Sequence, residues 1–281
     1  MAVTESLACR MTADRDSRVV CALLAAVGQV HALVTDLRPT TEEWRRVIDF
    51  VTEVGHSSDA RRQEWVLLAD VIGASTLVED INTQRPEGAT PNTLAGPFYR
   101  GDVPDMENGT SISRDGLGVP LHVTGRIADL DGAGIAQAVV EVWQANGDGF
   151  YENQQPDLQP EFNLRGRFLT DDAGGFAFVS VCPRGYALPE DGPVGRLLNG
   201  LGIKLERPAH LHFRVTAPDY QTLTTHVYNR ADPAIGRDAL FSVKPALLSD
   251  FRPIDTENGP ALALDIRFLL ARTGQLPHHR T

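Results

Sequence analysis

The chain has 281 residues, a formal net charge of −11, and hydrophobic and charged fractions of 42% and 22%; this is a globular composition with room for one large or two smaller cores. The acidic balance argues against a nucleic-acid or anionic-membrane partner. Three scattered cysteines, Cys9, Cys21 and Cys182, suggest a reducing compartment rather than a disulfide framework. No signal peptide is expected, because charged residues interrupt each short apolar run ahead of "VVCALLAAVGQV". No segment reads as long and apolar enough to span a membrane, so the expectation is a cytoplasmic protein.

The first part of the chain has helical periodicity. Asp16 precedes Val19, Val20, Leu23, Leu24, Val27, Val30, Leu33 and Val34, an apolar stripe of period 3.6. Thr40 and Glu43 have capping-box spacing ahead of Trp44, Val47, Ile48, Val51 and Val54. A third segment carries Trp65, Leu68, Val71, Ile72 and Leu77. Near residue 85 the character changes, which sets expected domains of 1–85, all helical, and 86–281.

"NTQRPEGATPNTLAGPFYRGDVPDM" follows as a Pro/Gly-rich linker. Then come short β-prone runs, "PLHVTGRI", "AVVEVWQA", "GFAFVSV", "HLHFRVT" and "TLTTHVY", separated by the turn sequences "DLDGAG", "NGDG" and "DDAGG". A last run alternates Leu262, Leu264, Ile266, Phe268 and Leu270 with other residues. The pattern predicts an antiparallel β-sandwich, and hence an α+β chain with helices first. Two long loops, "YENQQPDLQPEFNLRGR" and "YALPEDGPVGRLLNGLGIKLERP", are long enough to be functional.

"ERPAHLHFRVTAPDY" holds His210 and His212 in one strand-like run bracketed by Pro208 and Pro218. Period-two alternation puts both imidazoles on one face, and Leu211, Phe213 and Val215 on the other. Two cis nitrogens on rigid backbone suit a metal; two solvated histidines on a half-exposed strand is the plain alternative. Each long loop opens with a tyrosine, Tyr151 and Tyr186, and a tyrosine at a strand end is often simple packing. The charge count favours a joint role. Two imidazoles leave a trivalent iron at +3, and two phenolates with one hydroxide cancel it, so the unit can be buried. Phenolate is a hard donor suited to ferric iron, whereas zinc sites use Cys, His and carboxylate.

"RPAHLHF", the tyrosine of "GFYENQ", the tyrosine of "YALPEDGPVG", and "VEVWQANGDGFY" together resemble the intradiol ring-cleavage dioxygenases, over about residues 40–270. The resemblance implies one Fe(III) per subunit held by Tyr151, Tyr186, His210 and His212. It implies a helical N-terminal segment that forms a homodimer, with bound phospholipid in some members, and a β-sandwich with iron between its sheets. "YALPEDGPVGRLL" and "LTTHVY" are more similar to hydroxyquinol 1,2-dioxygenases than to catechol enzymes, which carry glutamine where His226 stands. Their substrate pocket then maps onto Leu94, Ala95, Gly96, Pro97, Phe98, Leu188, Pro189, Arg207 and Leu240, with His226 a substrate contact or an orienting residue. Ala95 departs from the Leu or Phe usual in the family.

By the same resemblance, Tyr186 leaves the metal as the substrate binds and Arg207 stabilises negative charge on the substrate; a salt bridge from Arg207 to Glu190 or Asp191 is the structural alternative. The implied reaction joins O2 to hydroxyquinol and gives maleylacetate. The alternatives are a catechol 1,2-dioxygenase, which would give cis,cis-muconate, and a non-catalytic aromatic-binding sandwich.

Overall fold

Side-chain periodicity, 3.6 before residue 85 and two after it, becomes helices and then sheets in the computed structural model, which describes residues 3–10, 17–59 and 62–275. The chain divides into two compact units, Met1–Asp59 and Ala60–Thr281.

The first unit holds α1 (Val3–Arg10), α2 (Arg18–Leu37) and α3 (Thr41–His56). The capping box at the start of α3 forms: Thr40 Oγ1 accepts from the Glu43 N–H at 3.2 Å, and the Glu43 carboxylate accepts from the Thr40 N–H at 2.7 Å. Asp16, expected to start the preceding helix, lies outside the described residues. α2 is 20 residues long, has a mean hydropathy of 1.7 over its most apolar window, and buries none of its residues. The expectation that no segment reaches membrane-spanning length is therefore corrected. Charged residues flank this helix without entering its centre. On α3, Trp44, Val47, Ile48 and Val51 form a second exposed apolar stripe.

In the second unit the single expected helix is two, α4 (Glu64–Val71) and α5 (Ala74–Asn82). Gly73 breaks them at φ +77°, and a Cβ there would press on the Phe241 ring at 3.3 Å. Helical character thus ends at Asn82, while the contacts divide the chain after Asp59.

The strands are β1 (Pro120–Asp129), β2 (Val139–Gln144), β3 (Arg165–Leu169), β4 (Gly175–Val181), β5 (Tyr186–Ala187), β6 (Glu206–Arg207), β7 (His210–Thr216), β8 (Leu223–Asn229), β9 (Leu248–Ser249), β10 (Arg252–Thr256) and β11 (Gly259–Leu270), with α6 (Pro193–Gly200) between β5 and β6. A four-stranded sheet, β10-β11-β1-β4, faces a five-stranded sheet, β3-β2-β7-β8-β9, and β5-β6 form a small ribbon. Antiparallel pairing dominates, with two exceptions to the expected pattern: β1 runs parallel to β11, and β8 to β9. Leu264, Ile266 and Phe268 of β11 point inward, as their alternation predicts, and meet Val142, Phe213 and Val227 of the other sheet. Each expected long loop carries structure that its polar, turn-rich sequence hides: the first ends in β3, and the second contains α6.

The linker crosses the sandwich as expected. Thr90 N–H donates to Leu269 O, Thr93 N–H to Thr224 O, and Met106 N–H to Arg167 O. These bonds bring residues 94–98 over the five-stranded sheet.

Candidate metal centre

Strand alternation decides where the histidines go. Leu211, Phe213 and Val215 enter the core between the sheets, so His210 and His212 project from the opposite face of the five-stranded sheet. The expectation of a site between the sheets is corrected: loops, rather than the second sheet, cover these residues, and both are only 2% exposed. The register puts Trp143 of β2 and His226 of β8 directly across from His212. Trp143 stacks on His212 at 4.7 Å, and the His226 ring lies 4.2 Å from the His212 ring.

His210 Nδ1 is 2.7 Å from the Pro208 carbonyl, which only accepts. The proton therefore sits on Nδ1, and Nε2 offers a lone pair. That Nε2 is 3.2 Å from His212 Nε2, and Tyr151 Oη is 3.0 Å from the same nitrogen. Burial, then the charge of Arg207, lowers the His210 pKa to about 3. Burial followed by His210 lowers that of His212, and burial followed by His212 lowers that of His226. All three rings are neutral. Burial and then Tyr186 hold the Tyr151 phenol well above its ordinary pKa. Neutral lone pairs crowded against each other, with a phenol that ionises only beside a positive centre, make a donor set that a metal cation fits.

Tyr151 follows the turn after β2. It is fully buried, with Phe98 stacked on it at 4.2 Å. Tyr186 packs edge-on to Tyr151 at 6.0 Å and lies 5.7 Å from the His210 ring. Gly149 permits this approach: its φ is +91°, and a Cβ there would meet Tyr186 Cβ at 3.1 Å. Tyr186 is only half-buried and hangs on the two-residue ladder that pairs it with Arg207.

Arg207 is buried and pairs with Asp238, not with the expected Glu190 or Asp191. Its Nε donates to Asp238 Oδ1 at 3.2 Å, and its Nη2 donates to Tyr228 Oη and Ser242 Oγ at 3.1 and 2.8 Å. Asp191 instead pairs with Arg62, and Glu190 accepts from Asn199.

Of the expected pocket residues, Gly96 comes within ordinary contact of the His212 ring, since a Cβ on it would sit 3.5 Å from Cε1. Phe98 reaches Tyr151. His226 joins the histidine group, and its Nδ1 is hydrogen-bonded to the Thr93 hydroxyl. Leu94 and Ala95 are half-buried on the same segment, and Pro97 is exposed. Leu188 is half-buried and Pro189 exposed, two and three residues beyond Tyr186. Leu240 is buried, and its carbonyl accepts from Thr76 of α5 at 2.6 Å.

Several residues escaped sequence reasoning. Arg165 is buried behind Tyr151, donating to Glu152 at 2.7 Å and to the Phe98 carbonyl at 2.6 Å. It ties the two segments that enclose the Tyr151 ring. Asp238 and Ser242 brace Arg207, and the Asp70 carboxyl of α4 is raised by burial within electrostatic reach of Arg207. None of these has a periodic or motif signal, because each acts through a contact distant in sequence.

Two family models match the chain: "Dioxygenase" over residues 94–271, and "Catechol dioxygenase N terminus" over residues 16–90. A hydroxyquinol 1,2-dioxygenase of Rhizobium sp. (strain MTP-10005) is 43% identical over 277 residues, 95% of this chain and 94% of that protein. A 6-chlorohydroxyquinol 1,2-dioxygenase of Cupriavidus pinatubonensis is 37% identical over 249 residues, 89% of this chain and 90% of the relative. Among solved structures, the hydroxyquinol 1,2-dioxygenase of Pseudomonas putida DLL-E4 superposes with a TM-score of 0.92 at 34% identity, covering 96% of this chain and 97% of that one. Fold, motif order and relatives agree, and the chain belongs to the intradiol ring-cleavage dioxygenase family.

Proposed function

We propose that the protein is an Fe(III)-dependent intradiol dioxygenase that opens hydroxyquinol between its adjacent hydroxyls with O2, giving maleylacetate. The observation that carries this reading is the convergence of His210 Nε2, His212 Nε2 and Tyr151 Oη within 3.2 Å contacts, with Tyr186 at their edge. His210, His212, Tyr151 and Tyr186 would hold one iron per subunit, and the ferric ion would supply a Lewis-acid centre that activates a chelated catecholate ring toward O2.

The protein's own residues do the rest. Tyr151, buried between Phe98 and Arg165, is the fixed ligand. Tyr186, half-buried on a two-residue ladder, would be the more mobile of the two tyrosine ligands, and its Oη would accept a proton from a substrate hydroxyl. Arg207 is held on two nitrogens by Asp238, Tyr228 and Ser242 and presents positive charge to the substrate. Residues Leu94–Phe98, Leu188, Pro189 and Leu240 would shape the walls. His226 would meet the ring's third hydroxyl, whose absence in catechol leaves a buried polar group unpaired.

The exposed apolar stripes of α2 and α3 support pairing of the N-terminal helices with a second copy, with phospholipid able to occupy the same apolar surface. The division of labour is then an N-terminal dimerisation segment followed by the catalytic sandwich. Oxygen uptake with hydroxyquinol, catechol and chlorocatechols tests the substrate. A hydroxyquinol-to-catechol ratio of kcat/KM below one, in wild type and in Ala95→Phe, would favour a catechol 1,2-dioxygenase instead. A colourless protein that binds aromatics without turnover would favour a carrier.

A further inference from the structure

Two histidine nitrogens at the centre have no hydrogen-bond partner among the described residues, His212 Nδ1 on the far side of a proposed ligand and His226 Nε2 on a ring outside the four proposed ligands. His226 is fully buried, its Nδ1 is occupied by Thr93, and its Nε2 has no partner among the described residues. Burying such an atom unpaired is unfavourable, so its surroundings point to a ligand. Sheet geometry explains its position. His210 and His212 stand two apart on β7, and His226 stands across from His212 on β8. Residues so related share one face, with neighbouring Cβ atoms. The three imidazoles therefore form a triangle, and one ring nitrogen of each lies within 4.8 Å of the others.

One edge of the triangle already has metal dimensions. His210 and His212 Nε2 are 3.2 Å apart, against about 3.3 Å for the edge of a tetrahedron with metal–nitrogen bonds of about 2.0–2.1 Å. Two of the rings are anchored at Nδ1, His210 by the Pro208 carbonyl and His226 by the Thr93 hydroxyl. Anchoring the far nitrogen fixes the orientation of a metal-binding imidazole.

We propose that His210, His212 and His226 form a three-histidine site for a divalent first-row cation such as Zn2+ or Co2+, overlapping the ferric site but requiring neither tyrosine. The inference rests on the reading of His210 and His212 as metal ligands. Three neutral nitrogens bring no charge of their own, which suits a divalent ion with a water in the fourth position. The ferric set differs by drawing on the phenolates of Tyr151 and Tyr186. One pocket thus offers two donor sets selected by the charge of the cation.

The test is titration of iron-stripped, full-length protein with cobalt chloride, followed by visible absorption. Wild type should take up one Co2+ per chain with the intense absorption of a four- or five-coordinate ion. His226→Gln should weaken Co2+ binding by about 100-fold and reduce the absorption, and Thr93→Val, which removes only the anchor, by about 10-fold. Both variants, checked for folding by circular dichroism and reloaded with ferric iron, should still develop visible colour. Unchanged Co2+ affinity and spectrum in His226→Gln would overturn the proposal, as would an absence of Co2+ uptake by wild type. Equal loss of ferric iron and Co2+ in His226→Gln would also overturn it, since the two donor sets would then not be separate. A wild type that binds Co2+ through His226 but never colours with ferric iron would support the three-histidine site and sink the ferric reading.

Discussion

Replacing Asp238 removes the brace of Arg207. The carboxylate holds four groups: Arg207 Nε and the Leu240 N–H on Oδ1 at 3.2 and 3.5 Å, and the N–H and hydroxyl of Ser242 on Oδ2 at 3.0 and 2.7 Å. Both members of the ion pair are almost fully buried, with side chains 3% and 2% exposed, so solvent cannot take over from either. Asp238→Ala leaves an uncompensated buried guanidinium, and breaking a buried pair from one side costs about 3–5 kcal/mol. In a unit of this size that is on the order of 10 °C in Tm. Asp238→Asn keeps the shape and one acceptor, and should cost about 1.5–3 kcal/mol, the worth of a hydrogen bond to a charged group. Burial acts to raise the Asp238 pKa, but Arg207 and Ser242 outweigh it, and the net shift is downward. A depressed carboxyl contributes stability above its unfolded pKa of about 4 and loses it as pH falls through the folded value. The wild-type and Asn melting curves should therefore converge below about pH 4. Calorimetry reads the stability, and an oxygen electrode reads kcat separately from KM. If Asp238→Ala melted within 1 °C of wild type, in round terms, and turned over at the wild-type rate, the brace would have no such role.

Three further outcomes are expected. His212→Ala should lose iron and visible colour together, and metal analysis showing full iron with unchanged turnover would remove it from the ligand set. Tyr151→Phe should retain less iron than Tyr186→Phe if, as proposed, the first is the buried, fixed donor and the second the departing one; both should lose activity, and wild-type turnover in Tyr186→Phe would end the departing-ligand role. If the N-terminal helices pair as proposed, wild type should sediment as a dimer and paired Val47→Lys and Val51→Lys on α3 as a monomer, while a monomeric wild type or an unchanged dimer would overturn pairing through this stripe.

The sequence made some of this legible because certain signals are local. The alternation through β7 and β11, the Thr40–Glu43 box and the turn sequences are each written within a few residues. The candidate donors are read for a different reason: His210, His212 and the loop tyrosines resemble the family's motif, and each stands beside the others in space. The face that bears the histidines follows from alternation, because Leu211, Phe213 and Val215 take the core side; what covers that face was not legible, because Phe98, Tyr151 and Tyr186 arrive from segments distant in sequence. The split of α4 from α5 depends on Phe241 at Gly73, and the Arg207 brace on Asp238 and Ser242; each is a contact between distant segments. α6 was hidden in a loop rich in Gly and Pro, where Pro193 serves as a helix start.

The parallel pairing of β1 with β11 sets an order on assembly. Thr124 and Asp265, which hydrogen-bond across it at 3.0 Å, are 141 residues apart. Closing a loop of that length costs about 4 kcal/mol in chain entropy beyond a constant, before any contact repays it. β1 sits between β4 and β11, so its inner edge has no neighbour until the chain beyond residue 259 is available. The four proposed ferric donors, Tyr151, Tyr186, His210 and His212, all encoded before residue 213, emerge from the ribosome earlier than the strand that completes the opposite sheet. A nascent chain therefore carries these four candidate donors while half of the sandwich still shows an unpaired edge, the state in which strands recruit the wrong partner. Cells making this protein should accordingly lose more of it to aggregation when translation stalls between residues 213 and 259 than when it stalls earlier, in the helical unit.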